Sequence, residues 1–241
     1  GSFAGNPMKI YLAGPDVFLP DAVEIGRRKA AICARHGLTG AYPLDNAVDL
    51  TAPDASLAIF KGNEAMMDAA DAIIANLTPF RGPSADAGTV YELGYMAGRG
   101  KLCFAYSNDP AVYADRVARY HAIVKAEAGH LIDGDGLTVE DFGLTDNLMM
   151  IHTLDLHGAR LVTPRRMPAD IWHDLTAFEA QRLIYRHESI DGLDANALVR
   201  DLTGSAAYAS QEGKGQMQPL LDAIAGRLPP DQALRFAEAL D

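Results

Sequence analysis

The sequence is poor in cysteine, in long apolar runs and in clustered histidine, and each absence excludes a class of protein. Its two cysteines, Cys33 and Cys103, show no motif spacing, so we expect buried apolar side chains in a reducing cytosol and a cytoplasmic protein. No apolar run is long enough to span a bilayer. The seven histidines are scattered without a ligand-like spacing, which argues against a metal site.

Positive charge and phosphate-binding glycine motifs are also scarce. The formal net charge of −11 argues against binding to a nucleic acid polymer, although it does not exclude an uncharged nucleoside. The sequence contains neither a GxGxxG fingerprint nor a P-loop, so we expect no cofactor. No charged-then-apolar leader precedes Met8, which we interpret as the native start, with residues 1–7 as a cloning remnant or a loose N-terminus.

Apolar runs and helical segments alternate through the first hundred residues. The runs at residues 8–13, 40–44, 71–77 and 101–107 predict strands, and the segments at 21–36, 55–70 and from Thr89 onward predict helices. This alternation predicts an α/β fold with a doubly wound parallel sheet and right-handed crossovers. Residues 160–163 are a candidate fifth strand, which gives the strand order 2-1-3-4-5.

The later part of the chain is less regular. We predict a helix over residues 112–126, another that begins within 146–152, and a closing helix over 168–186. Residues 8–186 would then form one α/β domain. Residues 187–241 contain no convincing strand and several short helical segments, so we predict a helical C-terminal appendage without chemistry of its own.

Residues 71–100 form the stretch around which the chain is organised: a buried strand, a loop rich in Pro and Gly, and a helix. Two carboxylates, Asp86 in the loop and Glu92 in the predicted first helical turn, follow the strand, where ligands bind in open α/β sheets. Glu92 could attack an electrophilic sugar carbon, or it could merely close a capping box with Thr89. Gly88 could permit a turn or a close approach of a ligand.

Four further side chains suggest chemistry, each with a structural alternative. Tyr11 could donate a hydrogen bond to a carboxylate or pack as a strand aromatic. Phe18 could stack on a flat base or anchor its loop in the core. Asn63 could contact a ligand or be satisfied by backbone, and Arg81 could bind phosphate or pair with Asp86. A cleft with a phenol, an amide, two carboxylates and an aromatic ring suits glycosyl chemistry.

Three segments of the sequence resemble the nucleoside 2-deoxyribosyltransferase family. They are MKIYLAGPDVF at residues 8–18, the stretch at 70–101 with its D-x-G-T-x-x-E-x-G motif, and DNLMM at 146–150. The resemblance covers residues 8–179. It implies a flavodoxin-like fold, small-molecule nucleosides and free nucleobases as substrates, and a homo-oligomer whose sites are shared between subunits. It implies no membrane partner.

The resemblance also implies roles for individual residues. Glu92 matches the nucleophile and Tyr11 the phenol that orients it. Asp86 and Phe18 match residues on the base side of the substrate. Asn147 matches an amide that reaches a neighbouring subunit's site and contacts the sugar 5′-hydroxyl.

At one position the sequence departs from the family pattern. Asn63 stands where several members carry Asp, so the base preference stays open, because an amide both donates and accepts where a carboxylate only accepts.

Three functions compete at this stage. The first is a transferase that exchanges the base of a 2′-deoxynucleoside through a glycosyl-enzyme at Glu92. The second is an N-glycosidase that hydrolyses a nucleoside or its 5′-monophosphate at the same site. The third is a non-catalytic nucleotide-binding module. Apart from Arg81 the motif loops contain few cations, which favours nucleosides over phosphorylated substrates.

Overall fold

The computed structural model describes residues 7–181 of the chain. Its centre is a parallel four-stranded sheet whose strands are β1 (Lys9–Ala13), β2 (Thr39–Ala41), β3 (Ala72–Asn76) and β4 (Leu102–Tyr106). The strand order is β2-β1-β3-β4, as the alternating pattern predicts for these four strands. All five residues of β3 are buried, because both faces of the sheet are covered. The predicted appendage at residues 187–241 lies outside the described residues.

The described residues also contain six α-helices: α1 (Ala22–Arg35), α2 (Ala55–Ala69), α3 (Ala87–Gly98), α4 (Tyr113–Val117), α5 (Leu148–His157) and α6 (Thr176–Glu179). Alternate side chains of β1 point to opposite faces. Ile10 packs into the core beneath α1 and α6, whereas Tyr11 packs into the core beneath α2, α3 and α5. The pleat of β1 therefore directs the Tyr11 phenol toward α3. No described helix is both long and apolar enough to cross a membrane.

The predicted fifth strand is not confirmed. The segment beside β4 makes only two isolated parallel bridges, Gly158 to Cys103 and Val162 to Tyr106. The bridges are four positions apart on this segment and three apart on β4, so one extra residue interrupts the ladder as a bulge does.

The region after β4 differs most from the prediction. The helix predicted over residues 112–126 ends at Val117, and three strands follow: β5 (Val124–Lys125), β6 (Leu131–Ile132) and β7 (Thr138–Val139). They form a small antiparallel sheet, and their two-residue length is too short for any periodic pattern. Of the predicted closing helix, the described residues contain only α6. Cys33 and Cys103 are buried free thiols, as predicted.

Candidate active site

A cleft of about 690 Å³ opens beyond the carboxyl ends of β1 and β3. Its walls come from residues 14–18 after β1, 43–50 after β2, 59–63 on α2 and 86–92 at the start of α3. Parallel strands end at the same edge of the sheet, so the topology brings these four segments together. The cleft holds most of the side chains that the sequence predicts for a site.

The carboxylate of Glu92 lines this cleft, and the fully buried phenol of Tyr11 lies behind it. The Tyr11 hydroxyl donates to Glu92 Oε1 at 2.8 Å, although the two residues lie 81 positions apart. Helix α3 begins at Ala87, so Glu92 lies in its second turn rather than its first. Glu92 therefore does not close a capping box, and its carboxylate is held by the buried phenol instead.

Asp86 is the N-cap residue of α3. Its Oδ2 accepts from the backbone N–H and from the hydroxyl of Thr89, both at 2.9 Å. Both bonds go to one oxygen, so Oδ1 has no hydrogen-bond partner among residues 7–181. Gly88 lies inside the helix and not in a turn, which removes the turn alternative. A Cβ at Gly88 would lie 3.2 Å from Asp86 Oδ2, so its absence keeps the cleft wall open.

The electrostatics of the cleft disfavour the charged form of Glu92. The pKa of the Glu92 carboxyl is raised from 4.5 to about 7: burial raises it most, the Tyr11 hydrogen bond lowers it, and the charge of Asp86 raises it. Burial, with the nearby Glu92 charge, also raises the pKa of Tyr11 well above its usual range, so the phenol stays a hydrogen-bond donor. Glu92 is thus poised to change its charge near neutral pH.

Asn63 presents an amide to the same space. It lines the main cleft and a smaller adjoining cleft of about 270 Å³, both of which also contain Glu92. Its Oδ1 is buried and has no hydrogen-bond partner among the described residues. A buried acceptor without a partner is uncommon in proteins, which favours the ligand alternative for Asn63.

Phe18, which lines the cleft, belongs to a cluster of three aromatic rings and one cation. Phe18 is 57% exposed and stacks on Phe80 with ring centroids 5.4 Å apart, so it is not a core anchor. Trp172 meets Phe80 edge-on at 6.1 Å. The Arg81 guanidinium lies 4.5 Å from the Phe80 ring centroid and forms no ion pair with Asp86, which removes the pairing alternative.

The protein-family model described as Nucleoside 2-deoxyribosyltransferase matches residues 10–149, more than half of the chain. The chain belongs to this family. An uncharacterized protein of Schizosaccharomyces pombe is 36% identical over 155 residues, which cover 58% of this chain and 74% of that protein.

Two solved structures from the family's activity class are also similar to the chain. A 2-desoxiribosyltransferase from Leishmania mexicana is 36% identical, covers 60% of this chain and 85% of its own, and has a TM-score of 0.48. A 2-deoxyribosyltransferase from Bacillus psychrosaccharolyticus is 23% identical, covers 47% and 83%, and has a TM-score of 0.38.

One residue that the family resemblance singles out lies away from the cleft. Asn147 is the N-cap of α5, where its Oδ1 accepts from the Met149 N–H at 3.0 Å and its Nδ2 donates to Glu140 at 2.7 Å. It is not among the residues that line the cleft of its own chain.

Sequence reasoning missed several residues that shape the site. Asn46 lines the cleft and packs so tightly on α2 that a Cβ at Gly62 would overlap its amide. Arg116 is buried beside the loop between Thr78 and Asp86. It donates to the Pro83 carbonyl at 2.8 Å and to Asp146 at 2.9 Å. No spacing in the sequence connects these partners, because the contacts form only after the chain folds.

We expect Tyr11→Phe to lower the rate of the catalysed reaction about tenfold at pH 7, the size of one hydrogen bond to a charged group. The Tyr11 hydrogen bond lowers the pKa of Glu92, so its loss moves that pKa above about 7 and leaves less carboxylate ionised. The acidic limb of the pH–rate profile should therefore move to higher pH. Tyr95→Phe, on the exposed side of α3, is the matched control. Superimposable profiles for Tyr11→Phe and the unaltered protein would contradict the role of the phenol.

Proposed function

We propose that the chain is a nucleoside 2-deoxyribosyltransferase that exchanges the base of a 2′-deoxynucleoside through a covalent glycosyl-enzyme at Glu92. The observation that carries the proposal is the 2.8 Å hydrogen bond from Tyr11 to Glu92, whose carboxylate lines the 690 Å³ cleft. Membership of the family supports the class of reaction. We assign the reaction to an α/β domain of residues 8–186.

The chemistry would be a double displacement with retention at the anomeric carbon. An ionised Glu92 oxygen forms a bond to C1′ while the C1′–N bond breaks, through an oxocarbenium-like transition state. The electron pair of that bond stays on the base nitrogen, which takes up a proton from Asp86 or from solvent. In the second half, a ring nitrogen of a new base bonds to C1′ as the bond from C1′ to the Glu92 oxygen breaks, and the N–H proton of that base passes to Asp86 or to solvent.

The charges of the cleft favour an uncharged nucleoside as the substrate. Among the described residues its lining contains no Lys or Arg, and it contains two carboxylic acid side chains, Asp86 and Glu92. A 5′-phosphate would meet repulsion from these carboxylates, and Arg81, which stacks on Phe80 beside Phe18, is not part of the lining. The base would lie between apolar walls near Phe18 and would meet the unpartnered amide of Asn63, which can donate to an oxo group or accept from an amino group.

Base exchange is tested with purified protein, deoxyinosine or thymidine as donor, and adenine or cytosine as acceptor. We expect chromatography to show a new deoxynucleoside, because the cleft positions an incoming base as it positioned the departing one. Free base and deoxyribose without exchange would favour the N-glycosidase. No consumption of any nucleoside or nucleotide would favour the non-catalytic binding module.

We also propose that Asn147 completes the site of a neighbouring subunit, so that the active species is a homo-oligomer. Asn147→Ser retains an oxygen that caps α5 but removes the amide, and we expect a large loss of activity with a normal fold. Mixing this variant with Glu92→Gln should restore activity, because one mixed site then has both residues intact. An active monomer in light scattering, or no restoration after subunit exchange, would contradict the proposal.

A further inference from the structure

A buried ion pair lies behind the wall of the cleft, and the proposed chemistry does not use it. Lys29 on α1 contacts Asp16 with an N–O distance of 2.7 Å, and both side chains are almost completely buried. The Lys29 ammonium also lies 5.3 Å from the centroid of the Tyr106 ring and 5.4 Å from that of Phe178. Taking two charges out of water is costly, so the pair calls for a functional reason.

Asp16 lies in the turn Pro15–Phe18, between two residues that line the cleft. A Cβ at Gly14 would lie 2.3 Å from Asp16 Oδ2 and 2.7 Å from the Cβ of Asn76. The carboxylate therefore fills the space directly behind the wall that Gly14 and Phe18 form. Any movement of Asp16 must move that wall.

Asn76 connects Asp16 to the loop that precedes α3. Its Nδ2 donates to Asp16 Oδ1 at 3.0 Å, and its Oδ1 accepts from the Thr78 N–H at 3.1 Å. Thr78 opens the loop that leads to Asp86. The buried Asn76 amide thus connects the turn that contains Phe18 to the loop that carries Asp86, the N-cap of α3.

The network continues to the aromatic cluster that contains Phe18. The Asn108 N–H donates to the Thr78 hydroxyl at 3.0 Å. The Asn108 amide donates to the carbonyls of Ile171 and Asp174, on either side of Trp172. Because Trp172 packs on Phe80 and Phe80 stacks on Phe18, the network and the rings fix the same loop from two sides.

We infer that Lys29, acting through Asp16 and Asn76, is a positioning residue. It holds the turn Pro15–Phe18 in place relative to the loop between Thr78 and Asp86. This inference rests on the proposed function. Two apolar side chains of similar volume would fill the space with less desolvation. Only the charged pair fixes the orientation of the Asp16 carboxylate, because Lys29 binds its Oδ2 and leaves its Oδ1 facing Asn76.

The test measures binding of deoxyadenosine by calorimetry in a Glu92→Gln background, where no turnover occurs. We expect Lys29→Met to raise the dissociation constant about tenfold or more, because a displaced wall misaligns the base. With Glu92 intact, KM for the donor nucleoside and for the acceptor base should both rise similarly while kcat at saturating substrate changes little, because the pocket binds the departing and the incoming base alike. Emission of Trp172, the sole tryptophan, should also change in the unliganded variant.

Ile32→Ala is the matched control, a core truncation one turn further along the same helix. It should lower the thermal midpoint without changing the dissociation constant or Trp172 emission. If Lys29→Met does not fold, the double variant Asp16→Asn, Lys29→Met removes both charges together. Weak binding is still expected, because no cation then orients the side chain at position 16.

Unchanged binding in a folded variant would overturn the inference, and so would a fall in kcat with KM unchanged. If the unaltered protein binds deoxyadenosine without turning it over, the proposed function fails while the binding measurement still decides the role of Lys29.

Discussion

Glu92→Gln is expected to lower the rate of base exchange by about 10⁴-fold or more, the size of effect that removal of a nucleophile produces. Glutamine retains an oxygen that accepts from the Tyr11 hydroxyl, so the fold should persist. Trapping of a glycosyl-enzyme, measured by mass spectrometry, should disappear in the variant. Substantial exchange by well-folded Glu92→Gln protein would show that another group attacks C1′.

The same substitution should stabilise the protein, and only at higher pH. The folded-state pKa of Glu92 lies above its unfolded value, so the folded protein binds more protons between pH 4.5 and about 7 and loses stability as pH rises through that window. Glutamine has no such penalty. The variant's advantage in free energy of unfolding should grow from near zero at pH 4 to about 3 kcal/mol at pH 8.

Urea denaturation at the two pH values measures this difference. Glu127→Gln, which removes an exposed carboxylate far along the chain, is the control for the loss of one negative charge. An advantage of equal size at both pH values would show that burial does not raise the pKa of Glu92.

Arg116→Met is expected to destabilise the fold by about 3–5 kcal/mol, the cost of leaving one partner of a buried ion pair alone. Arg116 is 1% exposed and its partner Asp146 is 2% exposed, and burial already raises the pKa of Asp146 despite the nearby cation. The substitution would also remove the donors to the carbonyls of Pro83, Ala111 and Thr145. Because Pro83 lies three positions before Asp86, exchange activity should fall as well.

Chemical denaturation of Arg116→Met measures the loss of stability. Arg99→Met is the control, since Arg99 and Asp68 are both about half exposed and 3.5 Å apart, and such surface pairs contribute little. A denaturation midpoint for Arg116→Met close to that of Arg99→Met would mean that the loop between Thr78 and Asp86 keeps its position without the buried Arg116–Asp146 ion pair.

The parts of the fold that the sequence predicts are those with a strong local pattern. β1 and β3 read as apolar runs next to amphipathic helices, and this alternation leaves few possible strand orders. The strand predicted over 160–163 fails because a bulge, which no local pattern reveals, breaks its pairing with β4. The helix predicted over 112–126 fails because each following strand is only two residues long.

The site is predicted in a similar way: residue types can be recognised, but their contacts cannot. The capping box at Thr89 predicts that the helix begins there, whereas the N-cap is Asp86, three positions earlier. The position of the N-cap decides whether Glu92 caps the helix or faces Tyr11. Arg116 and Asp146 lie 30 positions apart across an irregular region, and no sequence pattern predicts that they form an ion pair.

The bulged segment beside β4 has a further consequence for how copies of this chain can meet. Gly158 approaches β4 so closely that a Cβ would overlap the carbonyl of Cys103, and with Val162 it covers that side of the sheet. On the opposite side, β2 is only three residues long. Among the described residues the main sheet therefore offers no long bare edge for strand addition, the usual route to β-aggregation. Substituting Gly158 with a larger residue should push this cover away and expose β4 to edge-to-edge association.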